Sequence, residues 1–164
     1  MTRAPSRIHA TWVGEHRFDT GRPGGPLARL DGGGESGQSP PDALLSALAA
    51  CSGVDVVDIL AKRRTPVERL AIEVEGERRD DAPRRFMRLR LTFRVDGAGI
   101  EAAHAERAVA LAFEKYCSVA ASLTPDIVVE TLVVVNGASA EAVVQPTRLS
   151  ARPAPSPSSR SPDP

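Results

Sequence analysis

The longest apolar segment of the chain, residues 39–60, reads SPPDALLSALAACSGVDVVDIL and restricts the fold most. Its start carries the signals of a helix N-terminus. Ser39 suits the N-cap, Pro40 suits the first helical position, and Asp42 places negative charge in the first turn. With Pro66 closing the segment, the pattern predicts a helix of about 22–24 residues. Because this helix is apolar on nearly every side, we expect it to be a buried central helix.

Three short strands are predicted before this helix, within residues 8–31. The segments IHATWVG and HRFDTG are rich in β-forming residues, and Gly14 and Glu15 between them suit a hairpin turn. The segment LARLDG predicts the third strand. A connection rich in Gly, Ser and Pro, GGGESGQSPP, then leads to the helix.

Two longer strands are predicted after the helix, because apolar and charged residues alternate there with a period of two. The segments are ERLAIEVEGER and RRFMRLRLTFRV, joined by a charged loop. Each strand would have one buried and one charged face, and we expect the Glu and Arg faces to pair across a hairpin. The predicted apolar positions are Leu70, Ile72, Val74, Met87, Leu89, Leu91, Phe93 and Val95.

A second helix is predicted over residues 100–116, with Cys117 at its C-terminal end. The segment SVAASL then predicts a short helical turn, and DIVVETLVVV predicts the last strand. Apolar residues at helical spacing mark the buried face of this second helix: Ala105, Ala108, Val109, Ala112, Phe113 and Tyr116.

The order of these elements predicts an α+β fold rather than a repeated βαβ pattern. We expect one domain over residues 1–145. Residues 146–164, PTRLSARPAPSPSSRSPDP, are rich in Pro, Ser and Arg. They lack the apolar residues needed for a core and are predicted to be a disordered tail.

Composition argues against several classes of partner. Lys+Arg and Asp+Glu each number 21 and aromatic residues make up 4 %, so neither a positive field nor stacking residues indicate nucleic acid binding. The N-terminus lacks the apolar core of a signal peptide, and no apolar run is expected to span a bilayer. We therefore expect a cytoplasmic protein whose two cysteines are thiols.

The chemistry of the chain depends on those two cysteines, Cys51 inside the long helix and Cys117 after the second one. A buried cysteine often packs simply as a small hydrophobic residue. Two features favour reactivity: the small residues of CSG leave room beside one sulfur, and YCSV lies where a helix turns. A reactive thiolate at Cys51 would need an Arg or Lys brought in by tertiary structure.

Metal, phosphate and cofactor sites are not indicated. There is no CxxC pair, and the three histidines, His9, His16 and His104, lack ligand spacing. The segment GGGESG is Gly-rich, but no Lys-Ser/Thr follows it. We therefore predict neither a metal nor a cofactor.

The segments SPPDALLSALAACSGVDVVDILAKRR and EKYCSVAASL together resemble the OsmC/Ohr family of thiol-dependent hydroperoxide reductases. The resemblance covers roughly residues 8–136 and implies an OsmC-like fold that forms an intertwined homodimer. In such a dimer, the N-terminal strands of one subunit reach over the helix of the other, and two active sites lie at the interface.

This resemblance implies a thiol peroxidase acting on organic hydroperoxides. Cys51 would attack the O–O bond and become a sulfenic acid. Cys117 would then condense with it to a disulfide, and a dithiol reductant, in this family often a lipoylated protein, would restore both thiols. Arg29, in ARLDG, is the candidate for the activating cation, with Arg17 and Arg22 as close rivals.

One departure from the family pattern supports an alternative. Family members carry a Glu ten positions before the first cysteine, whereas Pro41 stands there in this chain and the nearest acid is Asp42. The alternative is a non-catalytic OsmC-fold dimer that serves as a redox sensor or binds a small ligand.

Overall fold

The computed structural model describes residues 4–139 and 141–145. Its order of elements confirms the predicted α+β fold, with a separate N-terminal sheet and a second sheet packed against two helices. The strands are β1 (His9–Trp12), β2 (Arg17–Gly21), β3 (Leu27–Asp31), β4 (Arg69–Arg78), β5 (Phe86–Asp96), β6 (Val128–Val135), β7 (Ala138–Ser139) and β8 (Val143–Gln145). The α-helices are α1 (Pro40–Lys62) and α2 (Ala102–Leu111), with a π-helical turn at Ala112–Tyr116 and a 3₁₀ turn at Ala120–Ser122.

The three predicted N-terminal strands are confirmed and form an antiparallel sheet in the order β1-β2-β3. Gly14 and Glu15 make the predicted turn, both with positive φ, 108° and 50°. After β3, the Asp31 carboxylate accepts hydrogen bonds from the N–H groups of Gly33 and Ser36 and from the Ser36 hydroxyl. These hydrogen bonds hold the start of the Gly-rich loop against the end of β3.

Helix α1 begins as predicted and is 23 residues long. The Asp42 N–H donates to Ser39 Oγ at 3.3 Å, and Pro40 occupies the first turn. The burial differs from the expectation, because a single chain covers only one face of the helix. That face contains Leu48, Val56 and other residues at helical spacing, whereas the opposite face leaves Leu44, Val54 and Val57 exposed.

The expectation that no apolar run could span a bilayer was wrong for α1 in length and composition. Among the described residues, this one helix passes both criteria, with a mean hydropathy of 1.8 over its most apolar window. The core helix of a soluble protein meets the same criteria, so they do not place α1 in a membrane.

The second sheet has the order β4-β5-β6-β7, with β5 and β6 parallel and the other pairs antiparallel. The predicted Glu–Arg pairing is confirmed by the pairs Glu75–Arg90 at 3.4 Å and Glu77–Arg88 at 3.7 Å. Exposed pairs of this kind contribute about 0.2–1 kcal/mol each. The core consists of the helix faces and the inner positions of this sheet, including Leu89, Leu91, Phe93 and Val95 of β5.

One predicted core position of β5 was wrong. Met87 is exposed and Phe86 is buried in its place. The register shifts between Glu77 and Arg78, so that Phe86 pairs with Arg78. Such a bulge changes which side chain faces the core.

The second helix differs from its prediction at its C-terminal end. Helix α2 stops at Leu111 and a π-helical turn follows. The predicted stripe is buried as far as Phe113, but Tyr116 is 49 % exposed and Cys117 is buried instead. The turn holds one residue more than an α-helical turn, with the Cys117 N–H donating to the Ala112 carbonyl five residues back. This extra residue moves the buried position from 116 to 117.

The predicted last strand is not the last. Both β7 and β8 pair with β6, and Gln145 of β8 is buried, donating from Nε2 to Thr131 Oγ1 at 2.8 Å. The predicted tail, residues 146–164, lies outside the described residues, and the domain boundary at 145 stays a prediction.

Candidate active site

Cys51 and Cys117 lie side by side, although 66 positions separate them in the chain. Helix α1 presents Cys51 from its middle, and the π-helical turn delivers Cys117 to the same place. The two sulfur atoms are within 4.8 Å of one another, and both cysteines are free thiols. Cys51 is partly exposed, whereas Cys117 is only 2 % exposed.

Hydrogen bonds favour the thiolate form of Cys51. Burial raises the pKa of this thiol, but hydrogen bonds from the Val119 N–H, from Cys117 and from Ser118 outweigh that effect, so the pKa lies below its usual value. The Ser118 hydroxyl is 3.8 Å from Cys51 Sγ. The segment that follows the π-helical turn thus supplies the groups that stabilise negative charge on Cys51.

Cys117 has the opposite character. Burial, and then the neighbouring Cys51, raise the pKa of its thiol to about 11, although the Ala120 N–H, 3.4 Å from Sγ, acts against this. Cys117 is therefore protonated at neutral pH, when Cys51 is the more acidic thiol. This asymmetry suits one nucleophilic and one resolving thiol.

Asp55 is a third member of the site that the sequence analysis missed. It follows Cys51 by one helical turn, so both side chains lie on the same face of α1. A carboxylate oxygen of Asp55 lies within 4.8 Å of both sulfur atoms. Burial, and then the charge of Asp58, raise the pKa of Asp55. The i, i+4 spacing from Cys51 was the one signal in the sequence that could have indicated it.

Arg29 does not contact Cys51 within the described part of the chain. It lies on β3, where its guanidinium binds both carboxylate oxygens of Asp19 through Nε and Nη2. Its rival Arg17 pairs with Glu15 at 2.9 Å, and Arg22 lies beside the N-terminal segment. The activating role of Arg29 therefore stays a prediction.

A cavity of about 360 Å³ lies between α1 and α2, with Asp55 in its wall. Apolar side chains, including Ile59 and Leu111, form part of the lining, and basic side chains, including Lys62 and Arg107, form another part. His104 is on the wall of this cavity, whereas His9 and His16 are in or near the N-terminal sheet.

The comparisons with known proteins show the family of the chain. The profile of OsmC-like proteins matches residues 32–132, a stretch that contains both cysteines and Asp55. The chain belongs to the OsmC family. It is 43 % identical to protein YhfA of Escherichia coli (strain K12) over 95 residues, which cover 57 % of this chain and 71 % of YhfA.

Two solved structures show the same fold. A hypothetical protein from Aquifex aeolicus VF5 superposes with a TM-score of 0.74 at 28 % identity, over 82 % of this chain and 98 % of that one. The organic hydroperoxide resistance protein OsmC of Legionella pneumophila superposes with a TM-score of 0.57 at 18 % identity, over 82 % and 98 %. The recognition of the OsmC/Ohr family from the sequence is thereby confirmed, and the chain has the fold of soluble proteins despite the apolar length of α1.

Proposed function

We propose that the protein is a cytoplasmic thiol peroxidase that reduces organic hydroperoxides to alcohols. The observation that carries the proposal is the convergence of two free thiols with opposite environments, a partly exposed and more acidic one at Cys51 and a buried protonated one at Cys117. The similarity to an organic hydroperoxide resistance protein supports the substrate class. The cavity beside Asp55, partly apolar and partly basic, suits an organic molecule better than hydrogen peroxide.

The proposed reaction has three steps. The Cys51 thiolate attacks the terminal peroxide oxygen, the O–O bond breaks, and the alkoxide takes a proton to leave as the alcohol, with Cys51 oxidised to a sulfenic acid. The Cys117 thiol attacks the Cys51 sulfur, a disulfide forms, and the sulfenic hydroxyl leaves with the thiol proton as water. A dithiol, for which a lipoylated protein is the proposed source, reduces the disulfide by exchange.

The dimer is also part of the proposal. The exposed apolar face of α1 would be covered by a second chain. The same assembly would let the N-terminal sheet of one chain bring Arg29 to Cys51 of the other. In that position the guanidinium would further stabilise the thiolate.

Two observations favour a second function. Among the described residues, the groups that lower the pKa of Cys51 include no Arg or Lys, and Pro41 stands in the place of the family Glu. A dimer with oxidisable thiols but without rapid turnover would act as a redox sensor or bind a small ligand.

The test begins with metal-free reduced protein and one equivalent of cumene hydroperoxide. We expect both thiols to be lost and the intact mass to fall by about 2 Da, as one intramolecular disulfide requires. In Cys117→Ser, Cys51 should stop at a sulfenic acid that dimedone traps, while Cys51→Ser should leave Cys117 nearly unreactive. Ser122→Ala is the matched control, because the Ser122 hydroxyl bonds only the Ser118 carbonyl among described contacts.

Steady-state turnover with a dithiol separates the two functions. Sustained alcohol production, at a rate that depends on the peroxide concentration, supports the peroxidase function. A single oxidation without turnover supports the sensor. If Cys117 reacts first, or if both thiols survive excess peroxide, the peroxidase proposal is wrong.

A further inference from the structure

Three groups that can bind a metal ion converge at one point. Cys51 Sγ, Cys117 Sγ and a carboxylate oxygen of Asp55 all lie within 4.8 Å of one another. Two of them come from one face of α1 at i, i+4, a spacing that lets a helix supply two ligands to one ion. The third comes from the segment after the π-helical turn, which the Cys117 N–H fixes by a 2.8 Å hydrogen bond to the Ala112 carbonyl.

The cluster lacks a positive partner in the part of the chain that the structure describes. Asp55 Oδ2 is buried and has no hydrogen-bond partner there, and none of the ion pairs of that part includes Asp55. The charged group that shifts its pKa is another carboxylate, Asp58. Buried polar atoms are normally satisfied, and an unsatisfied one requires an explanation such as an ion. A cation bound between the carboxylate and the two sulfurs would supply the missing charge and the missing partner.

We propose that the reduced protein binds one Zn²⁺ ion through Cys51, Asp55 and Cys117. Sulfur ligands select soft or borderline ions over Mg²⁺ and Ca²⁺, and Zn²⁺ accepts two sulfurs and one carboxylate oxygen in a tetrahedral site. Zn–S bonds of about 2.3 Å place two tetrahedral sulfurs about 3.8 Å apart, so the side chains need to approach by at most about 1 Å. The fourth position is left to water or to the Ser118 hydroxyl, which is 3.8 Å from Cys51 Sγ.

Zinc binding would regulate the thiols. Two Zn–S bonds form, the two thiol protons pass to solvent, and no electron is transferred. Both sulfurs are then held by the ion, and neither is free to attack a peroxide. The zinc form is therefore the resting, protected state of the thiol pair, and removal of the ion frees it. This inference does not depend on the proposed peroxidase activity, because the binding is measured directly.

The experiment uses the full-length, tag-free reduced protein. Zinc is titrated in competition with a chromophoric chelator, and Co²⁺ is used as a second probe because sulfur-to-cobalt charge transfer reports directly on thiolate ligands. We expect one ion per chain and a charge-transfer band, with the band reduced in Cys51→Ser and in Cys117→Ser. Asp55→Asn should weaken zinc binding by about tenfold or more, at least the loss found for outer partners of a metal site. The matched control is Asp81→Asn, the same change at an exposed residue of the loop between β4 and β5, which should bind zinc as the wild type does.

A measurement without mutation keeps the test independent of folding. Wild-type protein whose thiols are capped with methyl methanethiosulfonate should lose zinc binding, and regain it once a reductant has removed the caps. Binding that survives capping would come from other groups, such as the histidines, and would overturn the proposal. So would an Asp55→Asn variant with wild-type affinity, or the absence of binding at micromolar zinc. A different result would contradict the peroxidase proposal, namely that the thiols of the metal-free protein do not react with peroxide.

Discussion

Val54 offers a direct test of the proposed dimer. It lies on the uncovered face of α1 and is 62 % exposed in a single chain. Around it, Ala49, Ala50, Leu70 and Ile72 line a shallow apolar depression between α1 and β4. The change to make is Val54→Asp, which places a charge at the centre of this surface while leaving the buried face of the helix intact.

The size of the effect follows from the exposure of this side chain. Full burial of a valine contributes about 1.5–3 kcal/mol. A partner could cover the 62 % of Val54 that is exposed in a single chain, and this part of the burial contributes about 1–2 kcal/mol. A twofold-symmetric interface contains the residue twice, so the loss is about 2–4 kcal/mol. The dimer dissociation constant should therefore rise by about 30- to 700-fold. This is a lower bound, because the aspartate must also be desolvated.

The assay is sedimentation equilibrium over a concentration series, with light scattering after size exclusion as a second measurement. Val144→Asp is the matched control, since Val144 is the same residue type, is 63 % exposed and lies on β8, away from the depression. It should dimerise like the wild type. A wild-type chain that stays near its monomer mass of 17.4 kDa, or a Val54→Asp variant that dimerises as tightly as the control, would refute the reasoning.

Three further predictions concern stability. In Gly76→Ala, the new Cβ would lie 2.5 Å from a ring carbon of Phe86. We expect the free energy of unfolding, measured in urea, to fall by about 1–3 kcal/mol and to recover partly in the double variant with Phe86→Leu. Strictly additive effects of the two changes would contradict the clash. The hydrogen bond from the Ser36 hydroxyl, with two backbone N–H groups, lowers the pKa of Asp31 from 3.8 to about 2. Since the folded pKa lies below the unfolded one, this stabilisation is present above pH 4 and is lost as the pH falls towards 2; thermal melting should show a steeper loss over that range in the wild type than in Asp31→Asn, and equal slopes would count against it. A chain ending at Gln145 should keep the melting temperature of the full chain, and a drop of several degrees would show that the tail packs on the domain.

The elements that could be predicted from the sequence are those fixed by local interactions. The N-terminus of α1 depends on Ser39, Pro40 and Asp42, which act within one turn, and the structure places each in its predicted role. The β4–β5 hairpin could be predicted because the period of two is a property of each strand alone. The prediction for this hairpin was wrong at Met87, because a bulge depends on how two strands pair and cannot be predicted from the sequence of one strand.

The proximity of Cys51 and Cys117 could be predicted only through the family resemblance. It depends on how α1 packs against a segment 66 positions later. The exposed face of α1 shows the same limit, since a helix that is apolar all round signals burial without specifying which chain buries it.

The burial of Cys117 depends on an irregular turn that the sequence pattern did not predict. A regular helix would have continued the buried apolar stripe from Phe113 to Tyr116 and left Cys117 outside it. With the π-helical turn, Cys117 is buried and Tyr116 is exposed. That single extra residue buries Cys117 beside Cys51 and aligns the next peptide groups, at Val119 and Ala120, with the two sulfurs. The same turn therefore creates both the closeness of the thiols and the difference in their acidity. Because Cys51 and Asp55 lie on α1 and Cys117 follows the π-helical turn, the site is assembled between one regular helix, which sequence patterns describe well, and one irregular turn, which they do not.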